Sequence, residues 1–142
     1  MPHAEEFPVV SLITKQPIVM KPEDTVDKAV SKMAEENVGS VIIVDDKLKP
    51  IGIFTERDLL IKVCAKGLDP SRVKLGDVMT RRLVTIKESE PARRALETML
   101  HFGFRHLPVV DSSGRLVGVI SIKDVSRPFV GEVDVEELHS AG

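Results

Sequence analysis

Two seven-residue stretches hold the side chains with the most chemical content: Gly52-Ile53-Phe54-Thr55-Glu56-Arg57-Asp58 and Gly118-Val119-Ile120-Ser121-Ile122-Lys123-Asp124. Each is a glycine, two apolar residues, a hydroxyl, two variable residues and an aspartate. A hydroxyl at the end of an apolar run with a carboxylate three residues on is an arrangement that caps a helix start. The same arrangement can serve a ligand. A helix N-terminus attracts phosphate through its free N–H groups and dipole, and a carboxylate beside it can accept both hydroxyls of a ribose.

Other chemistry finds little support. His3, His101, His106 and His139 are scattered without metal-ligand spacing, and His101 falls in helix-end sequence that leaves it partly exposed. No Ser-His-Asp, Cys-His or glycine-rich phosphate loop is present, so no catalytic residue is assigned. Glu35-Glu36, Asp45-Asp46 and Glu136-Glu137 fall at surface or turn positions, where solvation explains them. The single cysteine, Cys64, excludes an internal disulfide and, within the run Leu59 to Cys64, reads as a buried packing thiol.

Bulk properties bound the rest. The 142 residues are 42% hydrophobic and 30% charged, the composition of a folded protein. A formal charge of −2 gives no global field for a polyanion, and Trp and Tyr are absent, so nucleic acid is not an expected partner. The N-terminus shows no signal-peptide pattern and no apolar run reaches membrane-spanning length, which points to a cytoplasmic protein with no membrane partner.

The elements that must position the two signatures are themselves duplicated. Sliding the chain against itself by 66 residues sets Thr14 on Thr80, Lys21 on Lys87, Ala29 on Ala95, Met33 on Met99, Val44-Asp45 on Val110-Asp111, Gly52 on Gly118 and Asp58 on Asp124. Val26, Ala29, Val30 and Met33 mark one helix face, preceded by Asp24-Thr25 as caps and followed by Gly39; Ala92, Ala95, Leu96 and Met99 repeat it, with Pro91 at the first helical position and Gly103 as C-cap. Two β-branched runs follow in each copy, Val41 to Val44 and Ile51 to Phe54, then Leu107 to Val110 and Leu116 to Ile120, each pair joined by a polar turn. A second helix starts near Glu56 and near Ile122. One β-α-β-β-α unit leaves a sheet face uncovered, so the expected fold is α+β, with two units packed sheet to sheet about a pseudo-two-fold axis.

With Asp77-Val78-Met79-Thr80 opening the second copy, the signatures and the duplicated unit resemble the CBS domain pair, or Bateman module, over about residues 8 to 127. The limits expected are 8–66 and 74–127 for the repeats and 128–142 for a tail, within which Asp134 starts a short helix. The resemblance implies sites built crosswise: Asp124, Ser121 and Val119 would face Thr14, Gln16 and Ile18, and Asp58, Thr55 and Ile53 would face Thr80, Arg82 and Val84. In that family the hydroxyl contacts phosphate or ribose and the aspartate takes the ribose hydroxyls, while adenine lies between apolar side chains such as Ile18 and Val119. A basic pair, Arg105-His106, would face the central cleft opposite phosphate; its counterpart, Gly39-Ser40, carries no charge, leaving Arg57, Arg82 and Lys123 to supply the rest.

The function implied is a non-enzymatic sensor of AMP, ADP or ATP, with AMP as the leading ligand and no catalytic cofactor. Its output would be an unidentified regulated protein on another chain. Two alternatives stay open: S-adenosylmethionine as the ligand, and a scaffold dimer whose signatures only cap helices. A two-fold homodimer is expected in either case, with Leu59, Leu60 and Val63 as candidate contacts.

Overall fold

The computed structural model describes residues 6–14 and 16–130. Strand β1 (Val19–Met20) leads to helix α1 (Val26–Glu36), the hairpin β2 (Ser40–Val44) and β3 (Pro50–Thr55), and α2, which opens at Glu56–Asp58 and continues as a π-helix over Leu59–Cys64. A short helix α3 (Leu75–Val78) begins the second copy. It continues through β4 (Ile86–Lys87), α4 (Ala92–Phe102), β5 (His106–Val110), β6 (Leu116–Ser121) and α5 (Ile122–Val130). The helix expected from Asp134 lies outside the described residues.

Each copy forms a three-stranded sheet, β1-β2-β3 and β4-β5-β6, with the first pair parallel and the second antiparallel. All five β2 residues are buried because both faces of the sheet are covered. The period of two divides them cleanly: Val41, Ile43 and Phe54 join the core under α1, while Ile42, Val44 and Ile53 meet Leu83, Leu116 and Val119 in a layer between the sheets. The second copy repeats this, with Leu107, Val109 and Ile120 under α4.

The turns are held by their own aspartates. Asp45 Oδ1 accepts from the backbone N–H of Lys47 (2.8 Å) and Lys49 (3.0 Å), and Asp111 Oδ1 from those of Ser113 (2.9 Å) and Arg115 (3.0 Å). The Lys49 backbone bond is the main reason the Asp45 carboxyl stays below the usual carboxylate range. Leu48 and Gly114 occupy equivalent left-handed positions, φ 64° and 88°.

Each copy lends its opening segment to the other. Leu75, Val78 and Met79 sit in the first core, and Val9, Leu12 and Ile13 sit in the second. Backbone bonds fasten both exchanges: Leu75 N–H to Asp24 O (2.8 Å), Thr80 N–H to Ile53 O (2.8 Å), Val9 N–H to Glu90 O (2.8 Å) and Ala92 N–H to Phe7 O (2.7 Å). The signature glycines exist for this crossing. A Cβ on Gly52 would stand 2.3 Å from Met79 Sδ, and one on Gly118 would stand 2.6 Å from Ile13 Cδ1. Gly52→Val is expected to lower stability by about 1–3 kcal/mol through overpacking, seen as a lower urea midpoint, whereas Gly67→Ala would meet no atom within 4 Å and cost only its positive φ.

Three local expectations need correction. Cys64 is exposed, not a packing thiol. The π winding spaces the buried positions of α2 five apart, at Asp58 and Val63, and turns Leu60, Ile61 and Cys64 outward. The same winding buries Val63, so it cannot serve a dimer contact as Leu60 can. At the start of α4, Pro91 is the N-cap rather than the first helical residue; α1 closes on left-handed Asn37 (φ 53°) and is followed by Gly39, as expected.

Candidate functional site

The two hydroxyl–aspartate signatures fall where β3 turns into α2 and β6 into α5. In the first, Asp58 N–H donates to Thr55 Oγ1 (3.2 Å) and Thr55 N–H donates back to Asp58 Oδ2 (3.0 Å), a reciprocal capping box. In the second, Asp124 N–H donates to Ser121 Oγ (3.2 Å) and Ser121 N–H to Asp124 Oδ2 (3.0 Å). The caps are therefore real, and they aim the remaining carboxylate oxygen of each aspartate at the other repeat.

What it meets there is a hydroxyl from the exchanged opening segment. Thr80 Oγ1 donates to Asp58 Oδ1 at 3.0 Å, and Thr14 Oγ1 donates to Asp124 Oδ1 at 3.4 Å. The N–H of Ile53 also bonds Thr80 O (3.0 Å), closing an isolated bridge between the repeats. Strand register adds one more residue to each site: Ser40 lies opposite Thr55, and His106 opposite Ser121.

The two sites differ in their inner lining. Ser40 and Asp58 are the buried polar residues of the first, at 6% and 7% exposure, whereas His106, Ser121 and Asp124 are half-buried. Burial holds the His106 imidazole below its ordinary pKa, and neighbouring Arg105 lowers it further, against the opposing pull of Glu56 and Asp124. Because the unfolded chain takes up this proton first, stability is complete above the unfolded value near 6.5 and declines as pH falls below it. Urea unfolding at pH 7.5 and 5.5 should show that decline, and His106→Gln should flatten it.

The other candidates lie further out. Gln16, Arg57, Arg105 and Lys123 are exposed. Arg82 instead reaches the end of α4, its guanidinium 6.0 Å from the centre of the Phe102 ring, which stacks on Phe104. Ile18 is buried in the first core and Val84 packs on the second, while Ile53 and Val119 belong to the layer between the sheets.

One residue of the first site escaped sequence reasoning. Lys62 Nζ lies 3.1 Å from Asp58 Oδ1 and donates to Val78 O (3.0 Å) and Thr80 Oγ1 (3.2 Å). The readable signal was an acid–base pair four residues apart on one helix. Among the described residues no group of His, Cys, Asp and Glu could hold a metal ion, and no helix is long and apolar enough to cross a membrane.

Comparison with known proteins agrees with this architecture. The CBS domain family matches residues 9–64 and 75–131. An uncharacterized protein of Methanopyrus kandleri is 40% identical over 123 residues, covering 85% of this chain and 63% of that protein, so the chain spans somewhat less than two thirds of that relative. The CBS domain pair of protein MJ0100, solved with 5′-methylthioadenosine and S-adenosyl-L-methionine, superposes with a TM-score of 0.80 at 28% identity, covering 90% of this chain and 99% of that one. CBSX2, solved with AMP, superposes at 0.73 with 28% identity over 87% of this chain and 96% of that one. With both repeats matched, each bearing its capped signature against the other's opening segment, the chain belongs to the CBS domain family.

Proposed function

We propose that the chain is a regulatory module that binds an adenine nucleotide in the cleft between its repeats and acts on a separate partner protein. The observation that carries this is the crosswise meeting of each signature carboxylate with a hydroxyl from the opposite repeat. A ribose placed there would find a carboxylate for its two hydroxyls, and the α5 start with Arg105 and His106 would lie on the phosphate side. AMP in CBSX2 and adenosyl ligands in the MJ0100 pair support the same ligand class for this chain. Arg105 beside His106 favours a phosphate over a sulfonium, so AMP, ADP or ATP is preferred to S-adenosylmethionine.

Titration with AMP, ADP, ATP and S-adenosylmethionine tests the reading. Saturable micromolar binding of a nucleotide by the wild type, lost in the Asp58→Ala/Asp124→Ala double variant, is the expected result. A folded chain that binds none of the four would leave capping as the whole role of the signatures, and the scaffold dimer would stand. Two-fold association through α2 suits either case, because Leu60 and Ile61 are 64% and 46% exposed.

A further inference from the structure

The two repeats present opposite charges at the end of the cleft where the signatures lie. Along β2 the period of two puts Ser40 on the face of Ile42, and along β5 it puts His106 on the face of Pro108, the cross-strand partner of Val119. Both side chains therefore look into the layer between the sheets. Helices α2 and α5 start at the mouth of that layer, tied by equivalent backbone bonds, Glu56 N–H to Gly39 O (3.1 Å) and Ile122 N–H to Arg105 O (2.9 Å). What hangs from the equivalent positions is inverted: the second repeat sets a cation, Arg105, beside apolar Ile122, and the first sets a carboxylate, Glu56, beside a residue with no side chain. A Cβ on Gly39 would stand 3.5 Å from both Cδ and Oε1 of Glu56, so the carboxyl group takes the space that a side chain at 39 would fill. Its charge is felt in the other repeat, where it favours the protonated form of His106 against burial and Arg105. A 5′-phosphate at the start of α5 would lie beside His106, the cross-strand partner of Ser121. Every further phosphoryl group adds negative charge and extends away from the sugar into the space between the repeats, where a like charge disfavours it.

We propose that Glu56 limits the number of phosphates: its carboxylate, at the mouth of the cleft on the repeat opposite Arg105 and His106, admits a nucleoside monophosphate and disfavours the longer phosphate chains of ADP and ATP. This rests on the nucleotide reading above and deepens it to a ligand class. Glu56 acts on the phosphate chain, so it sets a ratio of affinities and leaves the ribose to the signature aspartates.

The test is isothermal titration of the full chain with AMP, ADP and ATP, in EDTA to keep the nucleotides free of divalent cations, with circular dichroism confirming the fold of each variant. The wild type is expected to bind AMP at least about tenfold more tightly than ATP, with ADP between them. Glu56→Gln keeps the shape and removes the charge, and should bring the AMP-to-ATP ratio down to roughly threefold or less. Glu35→Gln removes the same charge from the exposed surface of α1 and should keep the wild-type ratio. A wild-type chain that binds ATP as tightly as AMP would overturn the phosphate limit while leaving the nucleotide reading intact. A preference for AMP that survives in Glu56→Gln would also overturn it, because length rather than charge would then be excluded. An equal fall in the ratio for Glu35→Gln would overturn it too, since net charge alone would be at work. No nucleotide bound by folded wild type or Glu56→Gln would remove the nucleotide reading and this inference together.

Discussion

Asp124→Ala should weaken AMP binding by at least about 100-fold, the largest loss from any single substitution in the cleft. The carboxylate would lose two hydrogen bonds from ribose hydroxyls to a charged acceptor, each worth about 1.5–3 kcal/mol, and tenfold in affinity is about 1.4 kcal/mol. The variant also loses the acceptor that holds Ser121 N–H and Oγ, both at 3.0 Å, so a cost of about 1 kcal/mol in stability accompanies it. Asp124→Asn separates the two effects. It keeps an acceptor oxygen for the cap but not the charge, and should retain most of the stability while binding AMP with intermediate affinity. Equal affinity in wild type and Asp124→Ala would show that the carboxylate is a cap and nothing more.

Phe54→Ala should be the most damaging change to the fold. Phe54 is the largest side chain with no exposure at all, and it stands on β3 among Val41, Ile43, Val63 and Leu75. Truncating a buried Phe costs about 3–5 kcal/mol in lost burial and cavity, a large part of the roughly 5–15 kcal/mol that holds a domain together. The exchange of opening segments shapes how that loss is felt. Leu75 and Met79 belong to the second copy yet pack in the first core, and Val9 and Ile13 run the other way. Neither copy can therefore unfold without uncovering part of its partner. Urea unfolding followed by probes in each repeat should show one transition, shifted to lower denaturant in Phe54→Ala. Two separated transitions would mean that the repeats are independent.

The parts of this structure that are legible in the sequence are those with a short period or a fixed turn residue. The apolar face of α1 repeats at three and four, the β2 and β3 segments are short β-branched runs bounded by polar turns, and Asp45 and Asp111 mark equivalent turns, so the duplicated unit and its order follow from pattern alone. The signature hydroxyls and aspartates also declare themselves, since a cap and a ligand site ask for the same side chains. The crossing of the opening segments was less visible. Its mark is the missing Cβ at Gly52 and Gly118, and a glycine inside a strand says that something approaches closely without saying what.

The winding of α2 left no mark of its own. An α-helical period over Leu59 to Cys64 would group the apolar side chains differently, and only the spacing of five between buried Asp58 and Val63 accounts for an exposed Cys64. Lys62 was hidden for a related reason. In an apolar run a lysine reads as a solvated interruption, and its three partners, Asp58, Val78 and Thr80, come together only after the second copy has crossed over the first. The basic residues show the converse limit. Arg82 has the sign that a phosphate needs, yet its guanidinium is turned to Phe102.

Backbone amide chemical shifts, followed by NMR as AMP is added to the full chain, give the most direct test of a ligand held between the repeats. Saturable shifts should cluster at Gln16, His106, Val119, Ser121 and Asp124, with residues on the outer face of α4, such as Glu97 and Leu100, unmoved. Shifts confined to outer helix faces, or none at millimolar AMP in a folded chain, would contradict nucleotide binding in this cleft.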